Sequence, residues 1–274
     1  LVTHNDLKDC QHVELQNADR AVSKTIEHGD IYYYNLQDNI NTSTKTGYQI
    51  YAIRNFDASY PITVTEGADI TFDLDGYVVS AGDDWTINGK LTVADSKASE
   101  ETGSLRASRP ITNNNELIFT NAKVTTLSAN TLINNNKNLT LTNSTLSSEY
   151  GYTLEVSESN TKLTMDEDSY IQTSTKDIYV IRNTSADFII DGGNIAGRNR
   201  VIKNETNAKL TVKSGNIYSS STANESIVIN TISNSGYLSI EGGKISASAT
   251  EQSQSPTETI NHGGQDLTIT GGEI

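Results

Sequence analysis

Hydrophobic residues in this chain fall in short alternating runs, not at helical spacing. Leu91-Thr92-Val93 is followed by Leu117-Ile118-Phe119, Leu139-Thr140-Leu141, Leu163-Thr164-Met165, Phe188-Ile189-Ile190, Leu210-Thr211-Val212, Leu238-Ser239-Ile240 and Leu267-Thr268-Ile269. Each triplet reads in, out, in, as a strand with one buried face must. Successive triplets begin 26, 22, 24, 25, 22, 28 and 29 residues apart. A period of about 20–30 residues marks a solenoid, in which each turn of chain covers the apolar face of the turn before it.

Two further marks complete the repeat. Seven residues after the first triplet position comes another aliphatic residue, at Val124, Leu146, Ile195, Ile217, Ile245 and Ile274, with Ile171 displaced by one. The intervening corner is often glycine-rich, as in Asp191-Gly192-Gly193-Asn194 and Glu241-Gly242-Gly243-Lys244, where glycine permits positive φ. Four to six residues before the triplet stands Ile-x-Asn, at Ile111 to Asn113, Ile133 to Asn135, Ile181 to Asn183, Ile202 to Asn204 and Ile232 to Asn234, with Ile87-Asn88 and Ile260-Asn261 as near variants. Asparagine tolerates a left-handed corner, and stacked copies can hydrogen-bond from turn to turn. Each turn is therefore expected to run strand, Asn corner, strand, Gly corner, strand. At about 4.8 Å per turn, eight or nine turns make a rod about 40 Å long.

The predicted fold class is all-β, a right-handed parallel β-helix with an N-terminal cap containing a short helix. Residues Asn17 to His28, with an N-cap candidate and Gly29 beyond, are the expected helix. The cap and first irregular turns are placed at 1–60 and the β-helix at 61–274, continuing or truncated at its C-terminal end. Uneven turn lengths put surplus residues in loops, notably Ala94 to Ser104, Ser148 to Gly151, Ser219 to Glu225 and Ala247 to Glu258.

Composition narrows the function. The 274 residues carry 34 Asp and Glu against 20 Lys and Arg, a net charge of −14, which disfavours nucleic acid and anionic lipid. No apolar run approaches the roughly 18 residues of a membrane span. Cys10 is the single cysteine, so no internal disulfide forms; together with the size, this suits a secreted or surface protein of bacterial origin.

The stretch Ile70-Thr71-Phe72-Asp73-Leu74-Asp75-Gly76-Tyr77, then Ile87-Asn88-Gly89-Lys90-Leu91-Thr92-Val93-Ala94-Asp95-Ser96 and the later Ile-x-Asn and Leu-Thr-Ile units, resembles the pectate-lyase-like β-helix domains of large cell-surface proteins in Gram-positive gut bacteria. The resemblance covers roughly residues 60–274. It departs at Asp75, where the family pattern has Asn, and at Asn113-Asn114-Asn115-Glu116, which lacks the usual Gly. It implies the architecture and an extracellular, adhesin-like, wall-associated role, and it carries over no catalytic residues.

Inverting hydrolysis needs carboxylates converging on one face, and lyases of this fold resemble one another in a Ca²⁺ site beside a basic residue. The carboxylate groups are Asp73 with Asp75, Asp83 with Asp84, and Asp166-Glu167-Asp168. Asp73 and Asp75, expected to point outward together, are the metal candidates for Ca²⁺, although no Arg or Lys stands at recognisable turn spacing. The four histidines, His4, His12, His28 and His262, show no metal-ligand spacing. Arg198 and Arg200 flank Asn199 in a corner, where they can grip an acidic sugar or simply form a solvated basic corner, the latter being the favoured reading. Aromatic candidates for stacking on a sugar are Tyr32 and Tyr34 in the cap, Trp85, and Tyr150 and Tyr152 in a loop, although cap tyrosines can equally seal the core.

The expectation is a non-enzymatic, adhesin-like stalk or ligand-presenting module, located extracellularly, without cofactor and monomeric as an isolated domain. Its partners would be a host or cell-surface glycan or a protein, with no nucleic acid and no membrane insertion. The alternative is a carbohydrate-binding or polysaccharide-degrading β-helix dependent on Ca²⁺.

Overall fold

An in-out-in triplet cannot bury its apolar side alone, and in the structure each one is covered by the turns before and after it. The computed structural model describes residues 21–24, 31–34, 36–42, 48–52, 54–98, 103–126, 128, 130–185, 187–221, 229–249 and 257–274. These form a parallel β-solenoid with three faces. The first face is a nine-stranded parallel sheet of Ile62–Val64, Trp85–Ile87, Ile111–Asn113, Ile133–Asn135, Leu154–Val156, Ile181–Asn183, Arg200–Asn204, Ile229–Asn234 and Thr257–His262, whose stacking bounds eight turns.

The second face begins with Tyr48–Ala52 and Asp69–Asp73 and continues through Lys90–Ala94, Glu116–Thr120 and Asn138–Thr142 to Tyr237–Ile240 and Leu267–Ile269. The third runs from Phe56–Ala58 through Val78–Ala81, Ser104–Ala107, Lys123–Thr126 and Thr145–Ser148 to Lys244–Ala249. Three long strands, Thr161–Thr173, Phe188–Gly197 and Lys209–Ser221, bend through the corner and serve both faces.

The core follows from column stacking. Leu91, Leu117, Leu139 and Leu163 lie over one another, as do Val79, Leu105, Val124, Leu146 and Ile171, and all are buried. The triplet at 188–190 departs from the expected column. Leu163 pairs with Ile190, and Phe188 lies beside Thr161, with a register irregularity between Met165 and Tyr170. A slip of two residues keeps every side chain on its face, so both Phe188 and Ile190 remain fully buried.

The Ile-x-Asn units form a polar spine inside the apolar core. Asn113 Nδ2 donates to Asn135 Oδ1 at 2.6 Å; Asn183 Nδ2 donates to Asn204 Oδ1 at 2.7 Å, and Asn204 Nδ2 to Asn234 Oδ1 at 2.6 Å. Each amide also bonds the backbone, as Asn204 Nδ2 does to the Tyr237 carbonyl at 2.9 Å. These asparagines are not the left-handed corners: positive φ falls instead on Asp75, Asn121, Asn143 and Asn207 at other turns, and on glycines such as Gly192 and Gly215 at the corner between second and third faces. Val156 interrupts the spine between Asn135 and Asn183. The near variants fall differently. Ile87, not Asn88, occupies the spine column, while Asn88 starts an outer amide ladder through Asn114 and Asn136; at the far end His262 takes the spine position and Asn261 points elsewhere.

The cap differs from the expectation in detail. Ala21–Lys24, inside the span expected to be helical, is a strand, antiparallel to both Ile31–Tyr34 and Tyr48–Ala52, and the rest of 17–28 lies outside the described residues. The helix of the cap is Leu36–Thr42. It closes the first sheet through Gln37, whose side-chain amide accepts from Thr63 N at 2.6 Å and donates to Thr63 O at 3.1 Å. An amide side chain thus replaces the missing neighbour strand on an edge that would otherwise invite pairing with another chain. No helix among the described residues is long and apolar enough to cross a membrane. The loop segments 99–102, 222–228 and 250–256 lie outside the described residues.

Candidate functional site

Where the third face returns to the first, the connecting segments stack like the strands they join. Two outward columns result, one two residues before the inward aliphatic of each first-face strand and one directly after it. The earlier column reads Thr131, Tyr152, Tyr179, Arg200, and the later one Asn134, Glu155, Arg182, Lys203, as the registers Ile133↔Leu154, Leu154↔Ile181 and Ile181↔Ile202 require. The whole earlier column and, from the later one, Lys203 line an open cleft of about 550 Å³ on the flank of the rod, together with Asn130, Tyr150, Asp177 and Ile178; Asn134, Glu155 and Arg182 are not part of its lining.

Backbone bonds fix the cleft walls. Leu132 N donates to the Tyr152 carbonyl at 3.0 Å, Thr153 N to the Val180 carbonyl at 2.9 Å, and Gly151 N to Ser148 Oγ at 3.1 Å. The charges are matched pairwise. Arg182 donates from Nη1 to Glu155 at 2.9 Å and from Nε to Glu205 at 3.1 Å; Lys203 reaches Glu205 at 2.8 Å, and Arg200 lies 3.8 Å from Asp177. Two guanidiniums also lie over aromatic rings, Arg182 5.9 Å from the Tyr152 centroid and Arg200 5.5 Å from that of Tyr179. The hydrogen bond to Glu205, against desolvation and with the charges of Glu155 and Glu205, holds the Arg182 guanidinium protonated beyond its ordinary value. Burial pushes the Glu205 carboxyl up, but the bonds from Lys203 and Arg182 outweigh it and leave the group below the usual carboxylate range. A carboxylate held ionised in this way suits hydrogen-bond acceptance and not proton donation, which requires a raised pKa.

The residues singled out from the sequence fall in different places. Tyr150 and Tyr152 are both in the cleft, and Tyr150 is 57% exposed. Arg200 joins them. Trp85 is corrected: it is 1% exposed and stands in the first inward column beside Ile62 and Ile111, so it is a core residue whose indole N–H finds no acceptor and which no ligand can reach. Tyr32 and Tyr34 lie on the cap strand, and their side chains, like Cys10, His4, His12 and His28, lie outside the described residues. Tyr60 seals the cap, its hydroxyl accepting from Leu36 N at 3.0 Å.

Asp73 and Asp75 do not point outward together. Asp73 turns inward at 7% exposure, its Oδ1 accepting from Asp75 N at 2.9 Å and Ser96 N at 3.0 Å. Asp75 lies 3.2 Å from Lys97, a basic partner one turn away that the sequence had not disclosed. Fully buried Asp95 completes the corner, accepting from Gly76 N at 2.8 Å and Gly103 N at 2.7 Å. The Asp166 carboxylate accepts from Asn143 N and Ser169 Oγ, and Asp83 and Asp84 face Arg109. Among the described residues no three His, Cys, Asp or Glu gather in a geometry that holds a metal ion.

Tyr179, Arg182 and Lys203 were not singled out from the sequence. The signal that finds them is column position: Tyr152 and Tyr179 each stand two residues before the inward aliphatic of a first-face strand, 27 residues apart. Comparison of the chain with family models, with curated proteins and with solved structures gives no match.

Proposed function

We propose that this chain is a non-enzymatic shaft of a bacterial cell-surface protein, an adhesin-like module that presents ligands or receptors at a distance and acts through shape and polar surface. The observation that supports this reading most directly is the bonding of its conspicuous polar residues. The asparagines of the spine and Asp73 and Asp95 at the corners bond the backbone or the matching residue of a neighbouring turn, so they maintain the solenoid. Among the described residues, the tyrosine-lined cleft has the form of a site, and its one carboxylate, Asp177, is paired with Arg200. The resemblance to surface β-helices favours the same role and an extracellular location.

The test has two arms. Purified protein incubated with polygalacturonate and with neutral polysaccharides, with and without added Ca²⁺, is expected to release neither unsaturated uronides nor reducing ends, and EDTA is expected to leave Tm unchanged. Depolymerisation of any of these polymers overturns the non-enzymatic reading. Protease treatment of intact producing cells is expected to remove the protein; full protection would overturn the surface location.

A further inference from the structure

We infer that the cleft is a binding site for a neutral saccharide, held by stacking on tyrosine and by hydrogen bonds from its paired charges. This rests on reading the cleft as the working surface of a non-enzymatic shaft.

Shape comes first. The cleft crosses four consecutive turns, from Asn130 and Thr131 through Tyr150 to Tyr152 and Asp177 to Tyr179 to Arg200 and Lys203. Three steps of about 4.8 Å make it about 14 Å long, so it is elongated and open along one side. Its volume of about 550 Å³ lies within the range of small-molecule sites. An open trough along a rod suits a short run of linked sugar rings better than a compact cofactor.

The lining is aromatic and polar. Tyr150, Tyr152 and Tyr179 are its aromatic residues, the last two each with a guanidinium over one face of the ring, and Ile178 is the one aliphatic residue of the lining. Tyr150 is more than half exposed, although a tyrosine ring gains from having its face covered. The C–H face of a pyranose covers a tyrosine ring while its hydroxyls stay free for polar groups at the sides. Those groups are present in the lining: the planar guanidinium of Arg200 lies over the Tyr179 ring and 3.8 Å from the Asp177 carboxylate, and Lys203 is held by Glu205 at 2.8 Å. A fixed carboxylate accepts from neighbouring hydroxyls and a guanidinium fork donates to them.

Charge decides the class. The lining holds two cations, Arg200 and Lys203, and each is already paired with a carboxylate, Arg200 with Asp177 in the lining and Lys203 with Glu205 beside it, so neither stands as an unpaired charge for a carboxylated sugar. The whole chain, at −14, repels a polyanion. The backbone bonds that set the walls belong to the stacking of the solenoid itself, which lowers the ordering cost of binding.

The experiment screens the purified chain against immobilised neutral gluco-, galacto- and manno-oligosaccharides beside oligogalacturonates, then titrates any hit by calorimetry. Binding to at least one neutral oligosaccharide is expected, unaltered between low and physiological salt. Tyr150→Ala and Tyr152→Ala are each expected to weaken it by about tenfold, in the manner of aromatic anchors, with Tm unchanged. Tyr152→Phe keeps the ring and is expected to retain most of the affinity. Three results overturn the inference: no neutral oligosaccharide binds, binding is confined to oligogalacturonates and falls steeply with salt, or a neutral ligand binds the Tyr150→Ala/Tyr152→Ala double variant as well as the parent. None of these touches the proposed function, whose non-enzymatic part fails only if a polysaccharide is cleaved and whose surface location fails only if the shaft proves not to be displayed.

Discussion

Replacing Asn204 with valine tests whether the buried spine determines stability. The amide makes three bonds: it accepts from Asn183 Nδ2 at 2.7 Å, and donates to Asn234 Oδ1 at 2.6 Å and to the Tyr237 carbonyl at 2.9 Å. Valine fits the column, since Val156 occupies it one turn before Asn183. The perturbation is therefore chiefly the loss of bonds. At about 1 kcal/mol net for each, the change costs about 3 kcal/mol. The stranded partners add little, because Asn183 keeps its bond to the Lys209 carbonyl and Asn234 still accepts from Gly236 N. The control is Asn136→Ala in the outer ladder, where the bonds to Asn114 and Ser157 are solvent-exposed and the expected cost is within about 0.5 kcal/mol. Urea unfolding followed by far-UV circular dichroism measures both. Emission from Trp85, the one tryptophan, shows whether the distant first turns unfold in the same transition. If Asn204→Val and Asn136→Ala cost the same within about 0.5 kcal/mol, the spine contributes no more than a surface ladder and the reasoning fails.

Three further outcomes are expected. Gly215→Ala, at φ +104° with a new Cβ 2.5 Å from the Gly192 carbonyl oxygen, is expected to cost at least about 2 kcal/mol, whereas Gly67→Ala, at φ +80° in open space, costs only the left-handed strain of about 1 kcal/mol; equal midpoints in urea would refute this. Gln37→Ala is expected to speed amide exchange at Thr63 by more than about tenfold by removing its acceptor, with Thr86 in the next strand unchanged; an unchanged Thr63 rate would show that the edge is protected by other means. Asp191, held low by its bond from Lys162 and then that from Ser214, and Glu205 both have folded pKa values below their unfolded ones. Their stabilisation is present above the unfolded values near 4 and is lost as pH falls through the folded ones. Tm is expected to drop below about pH 4, and Glu205→Gln to drop less steeply; parallel profiles would refute the assignment.

Alternation and period disclosed most of this fold because both are local. A triplet such as Leu117-Ile118-Phe119 states which side is buried without reference to any partner, and the spacing then states what covers it. What escaped depended on registers that local pattern does not fix. A slip of two preserves alternation, so nothing in Phe188-Ile189-Ile190 reveals that Ile190 and not Phe188 covers Leu163. Trp85 reads as an exposed aromatic after two aspartates until pairing places it under Ile111. The N-cap pattern points to a cap helix at Asn17 to His28, yet the helix described is Leu36–Thr42, whose Gln37 bonds the first sheet edge. In the cleft, Tyr150 and Tyr152 could be seen as a pair, while their association with Tyr179 and Lys203, and that of Tyr152 with Arg182, exists only once three turns are in register.

The Gln37 amide has a bearing on how the rod is made. A solenoid turn has no stable existence until a finished edge lies beside it, and in principle assembly can start at any turn. Here the first strand already has a hydrogen-bonding partner on its outer edge, supplied from only 26 residues away, so a complete edge costs little loop closure at this end. Chains emerge N-terminal part first, so this segment emerges before the turns that follow it and is the one able to act as their template. Each following turn then adds to a surface that is already set, so construction proceeds in one direction, like a wall laid course by course from its footing.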